Sequence, residues 1–141
     1  MTRLAAALGA AALFLAGAAG AETVKYHATM NGASETPPKQ TAGTGAVDAT
    51  LDTSTRKLDW KATWQDLSGP ATAAHFHGPA APGATAGVAL PWDKNPTSPT
   101  TGSATLTPEQ MQDLQDGKWY ANVHTAQNPG GEIRGQMERS Q

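Results

Sequence analysis

The chain contains no cysteine. Disulfides, thiolate nucleophiles, cysteine-ligated zinc and iron–sulfur clusters are therefore excluded, and any metal site must be built from histidine, carboxylate, thioether, amide or backbone groups. Aromatic residues are scarce at 6%, and charged residues make up only 16%. The 10 basic residues do not outnumber the 12 acidic ones. They form no patch of the kind nucleic acid requires, and no basic amphipathic stretch suits an anionic membrane surface. The single long apolar run, residues 4–19, falls short of the about 20 residues that span a bilayer.

That run has Arg3 in front of it and Ala19-Gly20-Ala21 behind it, the layout of a secretory signal peptide cleaved after a small-x-small site. The expected organisation is a signal peptide over residues 1–21 and one β-domain over residues 22–141, which is long enough for a real core. Losing Arg3 takes the formal charge from −2 to −3. The expected location is exported, either periplasmic or extracellular. No cysteine follows the cleavage site to carry a lipid, so no membrane attachment is expected once the segment is removed.

Most of the domain alternates with period two. In residues 57–65, Leu58, Trp60, Ala62 and Trp64 share one face against Lys57, Asp59, Lys61, Thr63 and Gln65, the pattern of a half-buried antiparallel strand. Residues 23–30 and 45–52 alternate in the same way, and 71–77, 118–125 and 132–138 read as further strands. Trp60, Trp64, Met30 and Met137 are assigned to the core, with Trp92 docking onto it. Residues 31–43 and 78–101 read as loops, with 88–92 an apolar piece docked within the second. Residues 103–106 form a short strand at best. One helix is expected: Thr107 caps it, Pro108 opens it, and Gln110 completes a Thr-x-x-Gln capping box before Gly117. Many short strands separated by turns point to an all-β antiparallel sandwich or barrel with one short helix.

His75 and His77 form His-x-His. Residues i and i+2 of a strand point to the same face, so two imidazoles stand side by side, a ready pair of ligands for borderline metals such as copper or zinc. Strand parity adds to the pair. Ala74 and Phe76 take the core face of their strand, leaving His75 and His77 on the other. Trp119, Ala121 and Val123 take the core face of theirs, leaving Tyr120, Asn122 and His124 opposite. In the last strand Ile133, Gly135 and Met137 face inward, with Glu132, Arg134 and Gln136 outward. The Asn128-Pro129-Gly130-Gly131 turn makes these last two strands neighbours, so His124 is expected near Glu132 or Arg134.

The same residues carry a family resemblance. Glu35-Thr36-Pro37-Pro38, Thr72-Ala73-Ala74-His75-Phe76-His77-Gly78-Pro79, Asn122-Val123-His124-Thr125 and Asn128-Pro129-Gly130-Gly131-Glu132-Ile133-Arg134-Gly135-Gln136 resemble signatures of CHRD (chordin) domains, in the family's order and across residues 24–138. The resemblance implies an immunoglobulin-like or superoxide-dismutase-like sandwich, of the stand-alone bacterial secreted kind. It implies no settled activity and no catalytic residues. His-x-His with a distant histidine and an arginine is also similar to copper–zinc superoxide dismutases, but the bridging and zinc-site histidines and the disulfide of that family are missing.

Three readings follow. In the first, His75, His77 and His124 bind copper or zinc, with Glu132, Asn122 or Glu35 orienting them and Arg134 attracting anions or pairing with Glu132. In the second, the domain is a non-enzymatic interaction or structural module whose histidines only cross-link strands, with residues 78–101 as its binding surface. The third is a copper redox enzyme of dismutase type. Ser68 and Ser103 lack a nucleophile-elbow context, and no other enzyme constellation stands out. His27 reads as an ordinary surface residue, and Glu35 as a carboxylate tethering its loop.

Overall fold

Alternating residues build most of the molecule. In the computed structural model, which describes residues 22–140, the first three strands are β1 (Thr23–Asn31), β2 (Thr44–Asp52) and β3 (Lys57–Gln65). They pair antiparallel in full register, Tyr26 opposite Ala49 and Ala49 opposite Trp60. Val24, Tyr26, Val47, Leu51, Leu58 and Trp60 are buried on one face, as period two requires. The proposed signal peptide lies outside the described residues.

β4 (Ala71–His77), β5 (Val88–Pro91), β6 (Thr100–Thr105), α1 (Pro108–Gln115), β7 (Tyr120–Thr125), β8 (Ile133–Gln136) and β9 (Glu138–Ser140) complete the chain. The strands form one sheet in the order β5-β4-β7-β8-β1-β2-β3-β6, with β9 also on β1. β8 and β9 are two pieces of one strand interrupted at Met137, whose N–H bonds Trp119 O. The sheet curls until β3 and β4 face one another, so Trp60 meets Phe76 edge-on at 5.2 Å between ring centroids. The fold is thus all-β with one short helix, a half-barrel curled from one continuously hydrogen-bonded sheet whose edges are β5 and β6. Trp92 and Trp119 complete the aromatic centre at 5.1 and 5.5 Å from Phe76. Emptying the Phe76 site to alanine would cost about 3–5 kcal/mol.

Some boundaries differ from expectation. Residues 88–91 are not merely docked: they form β5 and pair with β4, Leu90 opposite Phe76. β6 begins at Thr100, three residues before the expected start, because it pairs with β3 from Ala62 down to Lys57. That segment is Thr-, Gly- and Ser-rich, so little apolar alternation marks it. β7 starts at Tyr120 rather than 118. Trp64 is half-buried at the rim of the core. The helix ends as expected, with Asp116 as its C-cap and Gly117 just beyond at φ 74°, and its capping box is formed, Thr107 Oγ1 accepting from Gln110 N and Thr107 N donating to the Gln110 side chain. Among the described residues, no helix is long and apolar enough to cross a membrane.

Candidate metal centre

β4 and β7 pair antiparallel with His75 opposite Asn122 and His77 opposite Tyr120, and β8 lies beside β7 with Arg134 opposite Asn122. Parity puts all these side chains on the face away from the hydrophobic core. That face is not left to solvent. Residues 32–43 and 78–87 fold over it, and Glu35, His77, Asn122 and Arg134 are all buried there. The middle of β7 is therefore covered on both sides.

His75 Nδ1 stands 3.1 Å from His124 Nε2, and the three histidines offer one nitrogen each within 4.8 Å of one another. Metal–nitrogen bonds of about 2.0–2.1 Å place adjacent donor atoms about 2.9–3.4 Å apart and opposite ones about 4.1 Å apart. One edge of a coordination polyhedron is thus already made by His75 and His124.

The hydrogen-bond partners fix the tautomers. His77 Nδ1 faces the Ala86 carbonyl at 3.0 Å and His124 Nδ1 faces the Pro129 carbonyl at 2.8 Å. A carbonyl only accepts, so both Nδ1 atoms carry the proton, and in the neutral rings both Nε2 atoms present bare lone pairs. These lone pairs point at Asn122 Oδ1, 2.9 Å from His77 Nε2 and 3.0 Å from His124 Nε2. Burial, then the neighbouring His124 and His77, push His75 down to about 4. Burial also lowers His77, against its bonds to Ala86 and Asn122. At neutral pH the rings of His75 and His77 are therefore uncharged, the state that binds metal.

The expected supporting residues divide. Asn122 lies in the cluster, and its Nδ2 donates to Glu35 Oε1 at 3.5 Å. Burial raises the Glu35 carboxyl, opposed by the Thr36 backbone N–H, the Asn122 amide, Arg134 and His124. Arg134 does not pair with Glu132. It donates to Thr36 Oγ1 at 3.2 Å and to the Ala84 carbonyl at 2.6 Å, pinning both covering loops, and its guanidinium carbon lies 3.5 Å from the Tyr120 ring centroid.

Glu132 is the correction. It was expected to orient the histidines, but it points away from them. It precedes β8 at the end of the 128–131 turn, and the donors gathered around that turn, not the strand's alternation, set its side chain. Its carboxylate is completely buried. It accepts from Thr41 Oγ1 at 2.8 Å, Ser68 N at 2.9 Å, Thr125 Oγ1 at 2.8 Å, Asn128 Nδ2 at 3.0 Å and the Ser68 hydroxyl. Burial alone would raise its carboxyl, but these donors outweigh it and hold the group at about 2. Glu132 fastens the 128–131 turn, whose Pro129 carbonyl sets the His124 tautomer.

Sequence reasoning missed Tyr120, whose ring stacks on His77 with centroids 4.8 Å apart. Its parity with Asn122 and His124 was the available indication. His27 lies elsewhere, half-exposed beside Asp48 at 2.8 Å.

An antiparallel half-barrel whose outer face carries a loop-covered histidine cluster is the class of domain this chain defines. The model of the CHRD domain family matches residues 26–137, and the chain belongs to that family. No curated protein and no solved structure matches it.

Proposed function

We propose that this CHRD domain is an exported module that binds a divalent transition metal, copper or zinc, through His75, His77 and His124. The observation that carries the reading is a count of lone pairs. His77 Nε2, His124 Nε2 and Asn122 Oδ1 converge at 2.9–3.0 Å with both Nδ1 protons committed to carbonyls. His124 Nε2 can accept a proton from His75 Nδ1, but His77 Nε2 and Asn122 Oδ1 face each other as two acceptors with no proton between them, and such a pair repels unless a positive guest lies beside it. Imidazole ligands suit zinc and copper, and a carbonyl accepting the far ring proton is the usual support of such a ligand. Export is supported by Arg3, the apolar run and Ala19-Gly20-Ala21.

One observation favours a second reading, the interaction or structural domain. The raised Glu35 carboxyl, if protonated, would donate to an Asn122 amide turned by 180°, whose Nδ2 would then donate to both imidazoles. That network needs no ion.

Titration of purified protein with Zn(II) or Cu(II) separates the two. The metal reading requires binding near one-to-one and a rise in Tm that grows with metal concentration, about 2.7 kcal/mol at 100 times Kd. His75→Ala should abolish both effects. Wild-type protein with no affinity, or a His75→Ala variant that binds as tightly, would sink it.

A further inference from the structure

We infer that Asn122 is itself a ligand, supplying Oδ1 as a fourth donor, and that Glu35 is the positioning residue that aims it. The inference rests on the reading of the histidine cluster as a cation site.

Three nitrogens within 4.8 Å of one another are loosely spaced for one ion. The amide oxygen links them, standing beside His77 Nε2 and His124 Nε2 at the spacing of neighbouring ligands. The contacts run His77 Nε2 to Asn122 Oδ1 at 2.9 Å, on to His124 Nε2 at 3.0 Å, and on to His75 Nδ1 at 3.1 Å. Each step matches the about 2.9–3.4 Å edge of a four-coordinate site. Asn122 also sits on the rigid middle of β7, directly opposite His75 on β4, so the oxygen is held by two paired strands rather than by a loop.

What keeps the oxygen forward is the carboxylate behind it. Glu35 Oε1 accepts from Asn122 Nδ2, and an acceptor can face only the NH2 end of the amide. Glu35 is itself anchored in the 32–39 turn, where Glu35 N and Lys39 N both bond the Gly32 carbonyl. The resulting donor set is three imidazoles and one neutral oxygen. A hard oxygen suits Zn(II) and Cu(II) and contributes little to Cu(I), which prefers soft or purely nitrogen donors. Asn122 is then the residue that selects the divalent state.

Two measurements on the purified protein test this. In the first, Zn(II), Cu(II) and Cu(I) affinities are compared between wild type and Asn122→Leu, which keeps the volume and removes the oxygen. Zn(II) and Cu(II) binding should weaken by about 100-fold or more, beyond the usual loss for a residue outside the ligand set, while Cu(I) binding changes by less than about 10-fold. Glu35→Leu should cost about 10–100-fold, and Glu35→Gln, which keeps an acceptor oxygen, should restore binding. In the second, the Asn122 side-chain Cγ resonance of labelled wild type is followed during Zn(II) titration, which decides the matter even where Asn122→Leu fails to fold. Coordination through Oδ1 moves that resonance while both Nδ2 protons remain on the amide. Metal bound with Cγ unmoved, or Asn122→Leu binding divalent ions like wild type, overturns the ligand role and leaves the three-histidine site standing. Wild type that binds no metal overturns the site itself.

Discussion

The imidazole of His77 lies flat against the phenol ring of Tyr120, with ring planes 3° apart, and the two side chains share one anchor. His77 Nδ1–H and Tyr120 O–H both donate to the Ala86 carbonyl, and Ala86 N donates back to the Tyr120 hydroxyl at 3.2 Å. The ligand tautomer and the path of the 78–87 loop are thus set by the same three bonds.

Tyr120→Phe removes two of these bonds and keeps the stack. Each bond is worth about 1 kcal/mol net, so the denaturant midpoint should fall by the equivalent of about 1–2 kcal/mol. Metal affinity should fall by about 10-fold, the low end for a residue that orients a ligand. Chemical denaturation with and without Zn(II) measures both. An unchanged metal-dependent shift would show that Ala86 holds His77 without help from Tyr120.

Glu132 predicts how the fold responds to acid. Its folded-state carboxyl lies at about 2 against an ordinary 4.5, so the unfolded chain takes up the proton first as pH falls. The contribution is complete above pH 4.5 and is lost progressively between about 4.5 and 2. It amounts to on the order of 3 kcal/mol, at about 1.4 kcal/mol per pH unit of difference. Glu132→Gln should lower stability at pH 7 by about 2–3 kcal/mol, since its amide would face donors with donors. The same variant should flatten the stability profile over that window. Urea denaturation at a series of pH values is the measurement, and a variant that tracks wild type in slope would refute the role.

Period two made His75, His77, Asn122 and His124 legible in the sequence, because each lies inside a ladder where alternation alone decides the face. The family motifs were legible for the same reason, being centred on those strands. Glu132 was misread because it stands one residue outside its ladder, at the junction of the strand with the 128–131 turn, where the donors of Thr41, Ser68 and Asn128 rather than parity decide where the carboxylate goes. β5 and β6 were only partly legible: a four-residue strand ending in proline and a Thr/Gly/Ser strand carry almost no hydrophobic period. Nothing local shows that residues 32–43 and 78–87 cover the histidine face. Those contacts, Arg134 to Thr36 and to Ala84, join residues far apart in the chain.

Gly102 separates stability from binding. It sits opposite Trp60 on β6, and the indole ring lies across the place where a Cβ would go. Gly102→Ala must move Trp60 in the aromatic centre, at a cost of about 1–3 kcal/mol for overpacking. The site lies on the other face of other strands, so the zinc affinity of the folded variant should equal that of wild type. Thermal melting and zinc titration on one sample test both halves.

Gly131 should fail in both respects. Its φ of 122° is a conformation that side chains rarely adopt, so alanine there is strained by about 1–3 kcal/mol. Its Cβ would also overlap Glu35 Oε1 and stand 2.7 Å from Asn122 Nδ2. These are the carboxylate and amide behind the imidazoles, and with both backbones held, Asn122 in the ladder and Glu35 in its turn, their side-chain ends must shift out of the contact that aims the amide. Gly131→Ala should therefore lose stability on the scale of Gly102→Ala and, unlike it, lose metal affinity by about 10–100-fold. Equal zinc affinities in the two folded variants would mean that the Glu35–Asn122 contact has no bearing on the site.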